Sequence, residues 1–424
     1  MKIGLISLGC SKNLVDSEIL LGKLKGAGVE LTGDMENADC LIVNTCGFIE
    51  DAKRESIEAI LDAVDSGKRV IVMGCLVERY KRELEREIPE VEGFFGTQSW
   101  DDILKHLGLE PKYSSTRRLL TTPSSYAYLK IAEGCNRLCS FCAIPSIRGK
   151  HRSRPVEDIL QEVRDLAERG VKEINIVSQD TAFYGKDLYG EFKLVELLRE
   201  LERVDGIEWF RLLYLYPTEV SDELISYIAD SEKVLPYFDM PIQHISSRIL
   251  KSMRRGYDER KVRELVERIR VRIPFAVLRT TFIVGYPGEK EKDFKLLRDF
   301  VAEGHFHWVG VFTYSEEEGT HAFKLGDPVS EEEKLRRKEE LMSVQSSITL
   351  RRNRELIGKK LRVLVEGFSE EFSFVPKGRA YLQAPEVDGV IYIESEERSL
   401  KPGEFVEVEI NQATDYDLGG VCLR

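Results

Sequence analysis

Residues 133–145 read EGCNRLCSFCAIP and place Cys135, Cys139 and Cys142 in a C-x3-C-x2-C spacing. Thiolates are soft ligands that suit iron–sulfur clusters, and three of them so close together can hold three irons of a cubane. The fourth iron then keeps no protein ligand, so it can bind a small molecule and pass an electron into one of its bonds. A zinc knuckle or a disulfide loop is the alternative, although zinc sites usually close with a fourth ligand nearby. The close candidate for that ligand, His151, lies in the basic run RGKHRSR and is expected to be a solvated loop residue.

Length and composition indicate a globular protein of two or three domains, because the chain has 424 residues, of which 42% are hydrophobic and 32% are charged. No apolar stretch approaches the length of a membrane helix, and the N-terminus reads as a first strand rather than a signal peptide. We therefore expect a soluble, cytoplasmic protein whose eight cysteines serve metal sites more than disulfides. Cys40 and Cys422 are predicted to be plain buried residues. The net charge of −12 disfavours nucleic acid as the target and favours a basic partner.

Residues 1–118 alternate short apolar strands with charged amphipathic helices, which predicts a Rossmann-like α/β domain with a parallel sheet. The strands KIGLISLG, ADCLIVN and RVIVMG each end just before a cysteine, namely Cys10, Cys46 and Cys75. Because open α/β sheets bind ligands beyond the carboxyl ends of their strands, we expect these cysteines to converge on one point. A glycine beside each of them would allow close approach of the backbone to a bulky cluster. Three unrelated buried thiols are the alternative.

Residues 109–125 are rich in proline, serine, threonine and arginine, so they are predicted to form an interdomain linker. Six βα units follow within a domain of residues 119–356, which implies a whole or partial (β/α) TIM-like barrel. The working residues of such barrels lie at the C-terminal ends of strands, so the strand ends and the cysteine loop are expected to form a cofactor pocket. We assign to that pocket Phe141, Gln179, Gln243, Ile283, Gly285 and Tyr314.

Two segments of the predicted barrel allow a structural as well as a functional interpretation. TTFIVGYPGE, residues 280–289, resembles the glycine-containing segment that radical S-adenosylmethionine barrels lay against the adenosine, which would place Gly285 and Ile283 there, or it could be an ordinary strand-to-helix turn. In YFDMPIQHIS, His244 could act as an acid, a base or a substrate hydrogen-bond donor, although a lone histidine more often has a structural role. Gln243 is the stronger candidate for the pocket.

The tail, residues 357–424, contains short strands separated by glycines, prolines and acidic turns, which predicts a small antiparallel β-barrel. It carries eight Lys and Arg against thirteen Asp and Glu, a net charge of −5 that is the wrong sign for binding phosphates. We expect acids such as Glu394, Glu396 and Glu397 to steer a basic protein substrate. The alternative is that these acids only keep the surface solvated.

Taken together, these features resemble the radical S-adenosylmethionine (SAM) methylthiotransferase family. The resemblance rests on the C-x3-C-x2-C triad with Phe141 before its last cysteine, on the three dispersed N-terminal cysteines, and on a small β-barrel (TRAM) tail. It covers essentially the whole chain. The stretches NTCGFIEDAKRESIEAI and FDMPIQH…RILKSMRRG are similar to the branch that modifies an aspartate of small-subunit ribosomal protein S twelve.

The resemblance implies a division of labour between two 4Fe-4S clusters. One, on Cys135, Cys139 and Cys142, would bind and reduce SAM, and the resulting radical would abstract hydrogen from the aspartate β-carbon. The other, on the three N-terminal cysteines, would carry the sulfur, supplied as sulfide or polysulfide, that is methylated and transferred. The implied partners are ribosomal protein S twelve, free or on the ribosome, and an electron donor such as flavodoxin or ferredoxin.

Two rival functions stay open at this stage. A tRNA-adenosine methylthiotransferase shares all six cluster cysteines, and only the substrate-reading segment PIQHIS and the acidic tail argue against it. An electron-transfer or iron–sulfur carrier protein is the non-enzymatic alternative. A carrier needs no large concave pocket, so the predicted barrel disfavours it.

Overall fold

The computed structural model describes residues 1–110, 117–371, 374–395 and 399–423, and these divide into two compact units. The first unit is built from Met1–Thr121, Ala132–Arg152 and Ser315–Phe323. The second is built from Thr122–Ile131, Ser153–Tyr314 and Lys324–Arg424. The predicted domain boundaries near residues 118 and 356 stay predictions. Residues 111–116 of the predicted linker, and Glu396 and Glu397, lie outside the described residues.

The first unit begins with a regular alternation of strands and helices. These elements are β1 (Lys2–Ser7), α1 (Ser11–Gly26), β2 (Glu30–Leu31), β3 (Cys40–Thr45), α2 (Glu50–Asp65), β4 (Arg69–Gly74), α3 (Cys75–Glu87, broken at Tyr80), β5 (Gly93–Phe95) and α4 (Trp100–His106). The five strands form one parallel sheet in the order β2-β1-β3-β4-β5, as the α/β prediction requires.

Burial in this sheet follows the sequence pattern. All six residues of β3 are buried, because a central parallel strand is covered by helices on both faces. Helix α2 buries Ser56, Ile60 and Ala63, which recur at helical spacing on one face. The strand order reverses between β1 and β3, and ligands of open α/β sheets bind in the crevice outside the carboxyl ends of the strands at such a switch point. Cys10 and Cys46 follow these two strands.

The middle of the chain contributes elements to both units. In chain order they are β6 (Tyr126–Lys130), β7 (Ala132–Glu133), α5 (Ile144–Arg148), β8 (Arg152–Ser153), α6 (Val156–Glu168), β9 (Glu173–Val177), α7 (Leu194–Glu202), β10 (Trp209–Leu212), α8 (Asp222–Asp230), β11 (Val234–Asp239), α9 (Ser247–Ser252), α10 (Glu259–Arg272), β12 (Val277–Val284), α11 (Glu291–Ala302) and β13 (Trp308–Thr313). Short 3-10 helices occur at Thr181–Phe183, Pro217–Glu219 and Ala322–Leu325.

The second unit contains a six-stranded parallel sheet in the order β13-β12-β11-β10-β9-β6. Each strand pairs with its sequence neighbour in this sheet, which is the order that successive right-handed βα units produce. Strands β6 and β9 are buried along their whole length. The partial parallel barrel predicted from six βα units is therefore confirmed.

The C-terminal part of the second unit is a closed β-barrel, which follows a long helix in the chain. Helix α12 (Glu331–Arg354) leads into β14 (Lys360–Phe368), β15 (Pro376–Arg379), β16 (Ile391–Glu394), β17 (Phe405–Ala413) and β18 (Leu418–Cys422), which close in the order β14-β15-β16-β18-β17. The predicted tail barrel is confirmed, but it is not wholly antiparallel, because β16 and β18 pair in parallel. Its strands also differ from those predicted. Strand β18 was not predicted, and the predicted strand GRAYLQAP ends at Arg379, after which residues 380–388 form turns.

The tail barrel packs against the first residues of the parallel strands. Trp308, the first residue of β13, donates its indole N–H to the Leu382 carbonyl at 2.7 Å. Trp209, the first residue of β10, packs edge-to-face on Phe405 with ring centroids 4.7 Å apart. The catalytic ends of parallel barrel strands are the opposite, C-terminal ends. The tail therefore occupies the structural end of this sheet.

A buried ionic network joins the same surfaces. Glu173, the first residue of β9, accepts from Arg379 Nη2 at 2.6 Å and from Arg211 Nε at 2.8 Å, and all three side chains are almost fully buried. Although burial raises the pKa of Glu173, the guanidinium groups of Arg379 and Arg211 hold it below its ordinary value. Buried charges persist only when they are paired, so this network fixes the tail on the sheet.

None of the helices among the described residues is long and apolar enough to span a membrane.

Candidate functional site: two cysteine sets in the first unit

The structure brings the three N-terminal cysteines together beyond the strand ends. Cys10 precedes α1, Cys46 follows β3, and Cys75 begins α3 directly after β4. A Cβ atom on Gly9 would lie 2.9 Å from the Cβ and 3.1 Å from the sulfur of Cys46, so the loop carrying Cys10 lies against Cys46. Gly9 has a φ of +89°, which glycine adopts without strain. A Cβ atom on Gly47 would likewise lie 2.9 Å from the carbonyl carbon of Cys75, so the loops that carry the three cysteines contact one another, and their binding of one cluster stays a prediction.

Asn13 holds the three strand ends in place. Its side-chain amide donates to the Leu8 carbonyl at 3.0 Å and to the Thr45 carbonyl at 2.9 Å, and its carbonyl oxygen lies 3.5 Å from the sulfur of Cys75. A buried amide with this many partners fixes the relative positions of the loops that contact it. Asn13 was not predicted from the sequence, since the polar run CSKN gave no sign that its asparagine is buried.

The electrostatic environment of the three thiols is uneven. Burial raises the pKa of Cys75 to about 12 and also raises that of Cys46, with Arg148 opposing both effects. Burial acts on Cys10 in the same direction, but Lys12, Arg148 and nearby backbone N–H groups outweigh it and lower its pKa. Burial therefore disfavours the thiolate at Cys46 and Cys75, whereas nearby positive charge favours it at Cys10.

The second cysteine set lies in the same unit, between β7 and α5. The backbone N–H of Cys142 donates to the carbonyl of Cys139 at 3.2 Å, and that of Cys135 donates to the Gly149 carbonyl at 3.0 Å. The N–H of Arg137 donates to the sulfur of Cys135 at 3.3 Å, so the loop already directs a backbone dipole at one of its sulfurs. Phe141, assigned to the cofactor pocket, lies half-buried in this loop.

The two cysteine sets are neighbours. Cys75 packs with Ala143, which directly follows Cys142, and with Ile147 on α5. Arg148, the last residue of α5, donates to Asn13 Oδ1 at 2.6 Å and lies 3.5 Å from the sulfur of Cys75. Arg148 was not predicted as a site residue, because the run RGKHRSR has the composition of a solvated loop.

The segment Ser315–Phe323 completes this unit from far along the chain. Glu317 is buried and accepts from Arg79 at 2.7 Å and from Lys53 at 3.2 Å. The backbone N–H of Ala322 donates to the Ser140 carbonyl at 2.6 Å, within the second cysteine set. The sequence gave no signal for these contacts, because a sequence separation of more than 200 residues carries no periodicity.

The other predicted pocket residues belong to the second unit, all near the carboxyl ends of its parallel strands. Gln179 follows β9, Gln243 follows β11, Ile283 and Gly285 lie at the end of β12, and Tyr314 follows β13. Gln243 has a φ of +77°, and its side-chain carbonyl oxygen is buried without a hydrogen-bond partner. A strained backbone with an unsatisfied polar atom is typical of ligand-binding positions. Their roles toward SAM stay predictions.

The space beside Gly285 is filled by the protein itself. A Cβ atom there would clash with Cγ of Lys334, whose ammonium group donates to the Tyr314 carbonyl at 3.1 Å. This contact gives Gly285 a packing role, whatever its role toward a nucleoside.

The structure assigns His244 a structural role and corrects the expectation for His151. Nδ1 of the fully buried His244 accepts from the backbone N–H groups of Ile245 and Ser246, both at 2.9 Å, and its Nε2 lies 3.4 Å from Glu289. These bonds fix the tautomer with the proton on Nε2. His151 was predicted to be solvated, and this is wrong, since only 3% of it is exposed.

The donor set fits iron–sulfur clusters. Cys10, Cys46 and Cys75 are free thiols at neighbouring strand ends, on turns whose glycines leave no room for further side chains. Among the described residues, no group of His, Cys, Asp and Glu is arranged around a single metal ion. Because the thiolates of a cubane bind different irons, they need not close around one point as zinc ligands do.

Family models match three successive regions. Residues 2–96 match the uncharacterized protein family UPF0004, residues 129–301 match the radical SAM superfamily, and residues 357–423 match the TRAM domain. Together with the two cysteine sets, these matches define the class of the protein: it is a radical SAM enzyme with an N-terminal α/β region and a TRAM tail.

Relatives narrow the class to one family. The chain is 67% identical over 420 residues to the ribosomal protein uS12 methylthiotransferase RimO of Aquifex aeolicus, covering 99% of this chain and 97% of the relative. It is 50% identical over 426 residues to the protein of the same name from a Sulfurihydrogenibium species, covering 99% of each chain. The chain belongs to the RimO family of radical SAM methylthiotransferases.

Solved structures support the fold at greater distance. The radical SAM methyltransferase TsrM of Kitasatospora setae is 14% identical, with a TM-score of 0.55 over 76% of both chains. The cobalamin-dependent SAM radical enzyme OxsB is also 14% identical, with a TM-score of 0.51 over 81% of this chain and 56% of that chain.

Proposed function

We propose that this chain adds a methylthio group to the β-carbon of an aspartate in ribosomal protein uS12, the small-subunit protein S twelve, using two 4Fe-4S clusters and SAM. The observation that carries the proposal is that one compact unit holds two separate three-cysteine sets. The relatives that match nearly the whole chain are named for this substrate. A net charge of −12 also suits a basic ribosomal protein better than tRNA.

Each cysteine set would hold one cluster. Cys135, Cys139 and Cys142 would hold the cluster that binds SAM, and the three strand-end cysteines would hold the auxiliary cluster. When bound, the first cluster would supply the electron that cleaves SAM. The auxiliary cluster would supply the site for a sulfur atom, delivered as sulfide or polysulfide, and this sulfur replaces a hydrogen on the substrate carbon. The net change at the aspartate is one C–H bond lost and one C–S bond gained.

The residues around the thiols would orient them and keep water away. Cys46 and Cys75 are buried, and the backbone N–H of Cys46 donates to the Ser56 hydroxyl at 2.9 Å, which fixes its loop. A buried, preorganised site suits radical chemistry, because water and oxygen would divert reactive intermediates. In the second unit, Gln179, Gln243 and Tyr314 are proposed to contribute to SAM binding.

The test is mass spectrometry of uS12 after anaerobic reaction with SAM, sulfide and a reductant. We expect the mass of one methylthio group in place of one hydrogen, on an aspartate, and none with the Cys139→Ala variant. Free uS12 and small ribosomal subunits would be compared as substrates, with flavodoxin or ferredoxin as the electron donor in parallel with dithionite. A methylthio group on tRNA adenosine and none on uS12 would overturn the proposal.

A further inference from the structure

Arg148 is a buried guanidinium placed between the two cysteine sets. It lies six residues after Cys142, at the end of α5, and 1% of its side chain is exposed. Besides Asn13 and Cys75, it contacts Asp16 Oδ2 at 3.0 Å and Glu133 Oε1 at 2.8 Å. Its partners come from α1, from β7 and from the start of α3, so one side chain ties three segments of the unit together.

The geometry of these contacts requires an arginine. The planar guanidinium presents five N–H donors in a fixed fork, whereas a lysine has a compact ammonium on a flexible stem. Burial opposes the charge of Arg148, but Asp16, Cys75 and Glu133 hold its pKa above the ordinary value. Asp16 and Glu133 are enough to neutralise the buried charge of Arg148. Charge neutralisation therefore does not account for the 3.5 Å approach of Arg148 to the sulfur of Cys75.

We propose that Arg148 is a positioning residue for the auxiliary cluster: it fixes the Cys75 thiolate relative to the segment that follows Cys142, and it raises the reduction potential of a cluster bound there. The proposal rests on the proposed function, because it assumes that Cys10, Cys46 and Cys75 hold a cluster. An N–H donor and a positive charge beside a ligand sulfur stabilise the reduced state, which carries one more negative charge. Arg148 would thereby make reduction of this cluster easier.

The experiment isolates the auxiliary cluster in the full-length chain. The Cys139→Ala background removes the other cluster, and an electron paramagnetic resonance titration with dithionite under argon then gives the midpoint potential of the remaining one. In Arg148→Met we expect the equilibrium constant for one-electron reduction to fall about tenfold, which is a shift of about 59 mV to more negative potential. In Arg148→Lys we expect a smaller shift in the same direction, because charge is kept and the fork is lost.

Arg118 provides the matched control. It is equally buried and pairs with Glu18 on the same helix α1 at 2.6 Å, so Arg118→Met also removes a buried ion pair from this unit. We expect it to lower the thermal stability and to leave the midpoint potential unchanged.

Each result of this titration either supports or overturns the role proposed for Arg148. An unchanged potential in an Arg148→Met protein that holds its iron would overturn it, as would an equal shift in Arg118→Met. If Arg148→Met fails to hold iron, Arg148→Lys decides: a lower potential supports the proposal, and the wild-type potential overturns it. Absence of iron from the Cys139→Ala protein with Arg148 intact would instead refute the auxiliary cluster, and with it the proposed function.

Discussion

The ionic network around Glu173 predicts how firmly the C-terminal barrel is attached. We consider Glu173→Gln, which keeps the shape of the side chain and removes its charge. Arg211 and Arg379 would then be left as buried guanidinium groups with one neutral acceptor between them. Arg379 keeps Glu366 at 2.7 Å, and Arg211 keeps the Tyr381 carbonyl at 2.9 Å, so neither loses every partner.

The magnitude follows from this partial compensation. Removing one partner of a buried ion pair costs about 3–5 kcal/mol, and the remaining acceptors put this case near the lower end. For a domain of this size each kcal/mol lowers the melting temperature by roughly 2–4 °C, so a cost of about 3 kcal/mol should make the second unit melt roughly 6–12 °C earlier. Calorimetry with limited proteolysis of the tail would follow that unit's own transition, because a chain of two units need not unfold in one step.

The matched control is Glu208→Gln. Glu208 precedes β10 and pairs with Arg362 of the tail at 3.0 Å, across the same pair of surfaces, but both side chains are about half-exposed. Such a pair contributes at most about 1 kcal/mol. If both variants melted at the same temperature, the argument that burial makes the Glu173 network dominant would be refuted.

The pH dependence gives a second readout for Glu173. Its pKa is lowered in the folded protein, because the two guanidinium groups outweigh the effect of burial. Its stabilisation is therefore complete above the unfolded pKa of about 4.3, and it is lost as the pH falls toward the lower folded value. The difference in stability between wild type and Glu173→Gln should shrink below about pH 4, and a difference that stays constant would contradict this assignment.

The remaining predictions concern the clusters and the substrate. Reconstituted protein should hold about eight irons per chain, which an iron assay measures. Cys139→Ala should abolish SAM cleavage, whereas Cys46→Ala should keep cleavage and lose sulfur transfer. Equal loss of cleavage in both variants would refute the division of labour between the clusters. Gly9→Ala should lower the iron content by about half through loss of the auxiliary cluster, because the new Cβ would lie 2.9 Å from the Cβ of Cys46. The control, Gly108→Ala, has a similar positive φ and open space beside it, so that variant should keep all of its iron. Changing the two exposed glutamates of β17 to lysine should leave the apparent KM for uS12 within about twofold, because this tail packs at the strand starts; a KM that rises only at low salt would restore a role in recognition.

This packing favours the interpretation in which the acids of the tail only keep its surface solvated over the one in which they steer a basic substrate, and the KM measurement decides between the two. The sequence correctly indicated a barrel, but the face on which it packs depends on contacts such as Trp308 with Leu382. These contacts join distant parts of the chain, and no local pattern encodes them.

The parts that could be predicted are those with local physical causes. A short apolar run such as CLIV followed by a glycine-containing turn favours a buried parallel strand, and the cysteine after it then lies at the strand end. The parts that could not be predicted are buried polar groups. Asn13 and Arg148 look like surface residues, because their burial is stabilised only by partners from other segments. Strand β18, LGGVC, has low intrinsic strand propensity and forms by pairing with β16 and β17.

The construction of the first unit from three separate stretches of chain has a consequence for protein synthesis. Its last stretch, Ser315–Phe323, emerges long after Cys10, Cys46 and Cys75 have left the ribosome. At about 5–20 residues per second, this interval lasts on the order of tens of seconds. Throughout it the nascent thiols lack the contacts of Glu317 and Ala322 that complete their surroundings. Cluster assembly should therefore follow translation, and the nascent chain should be most sensitive to oxygen before residue 323 has left the ribosome.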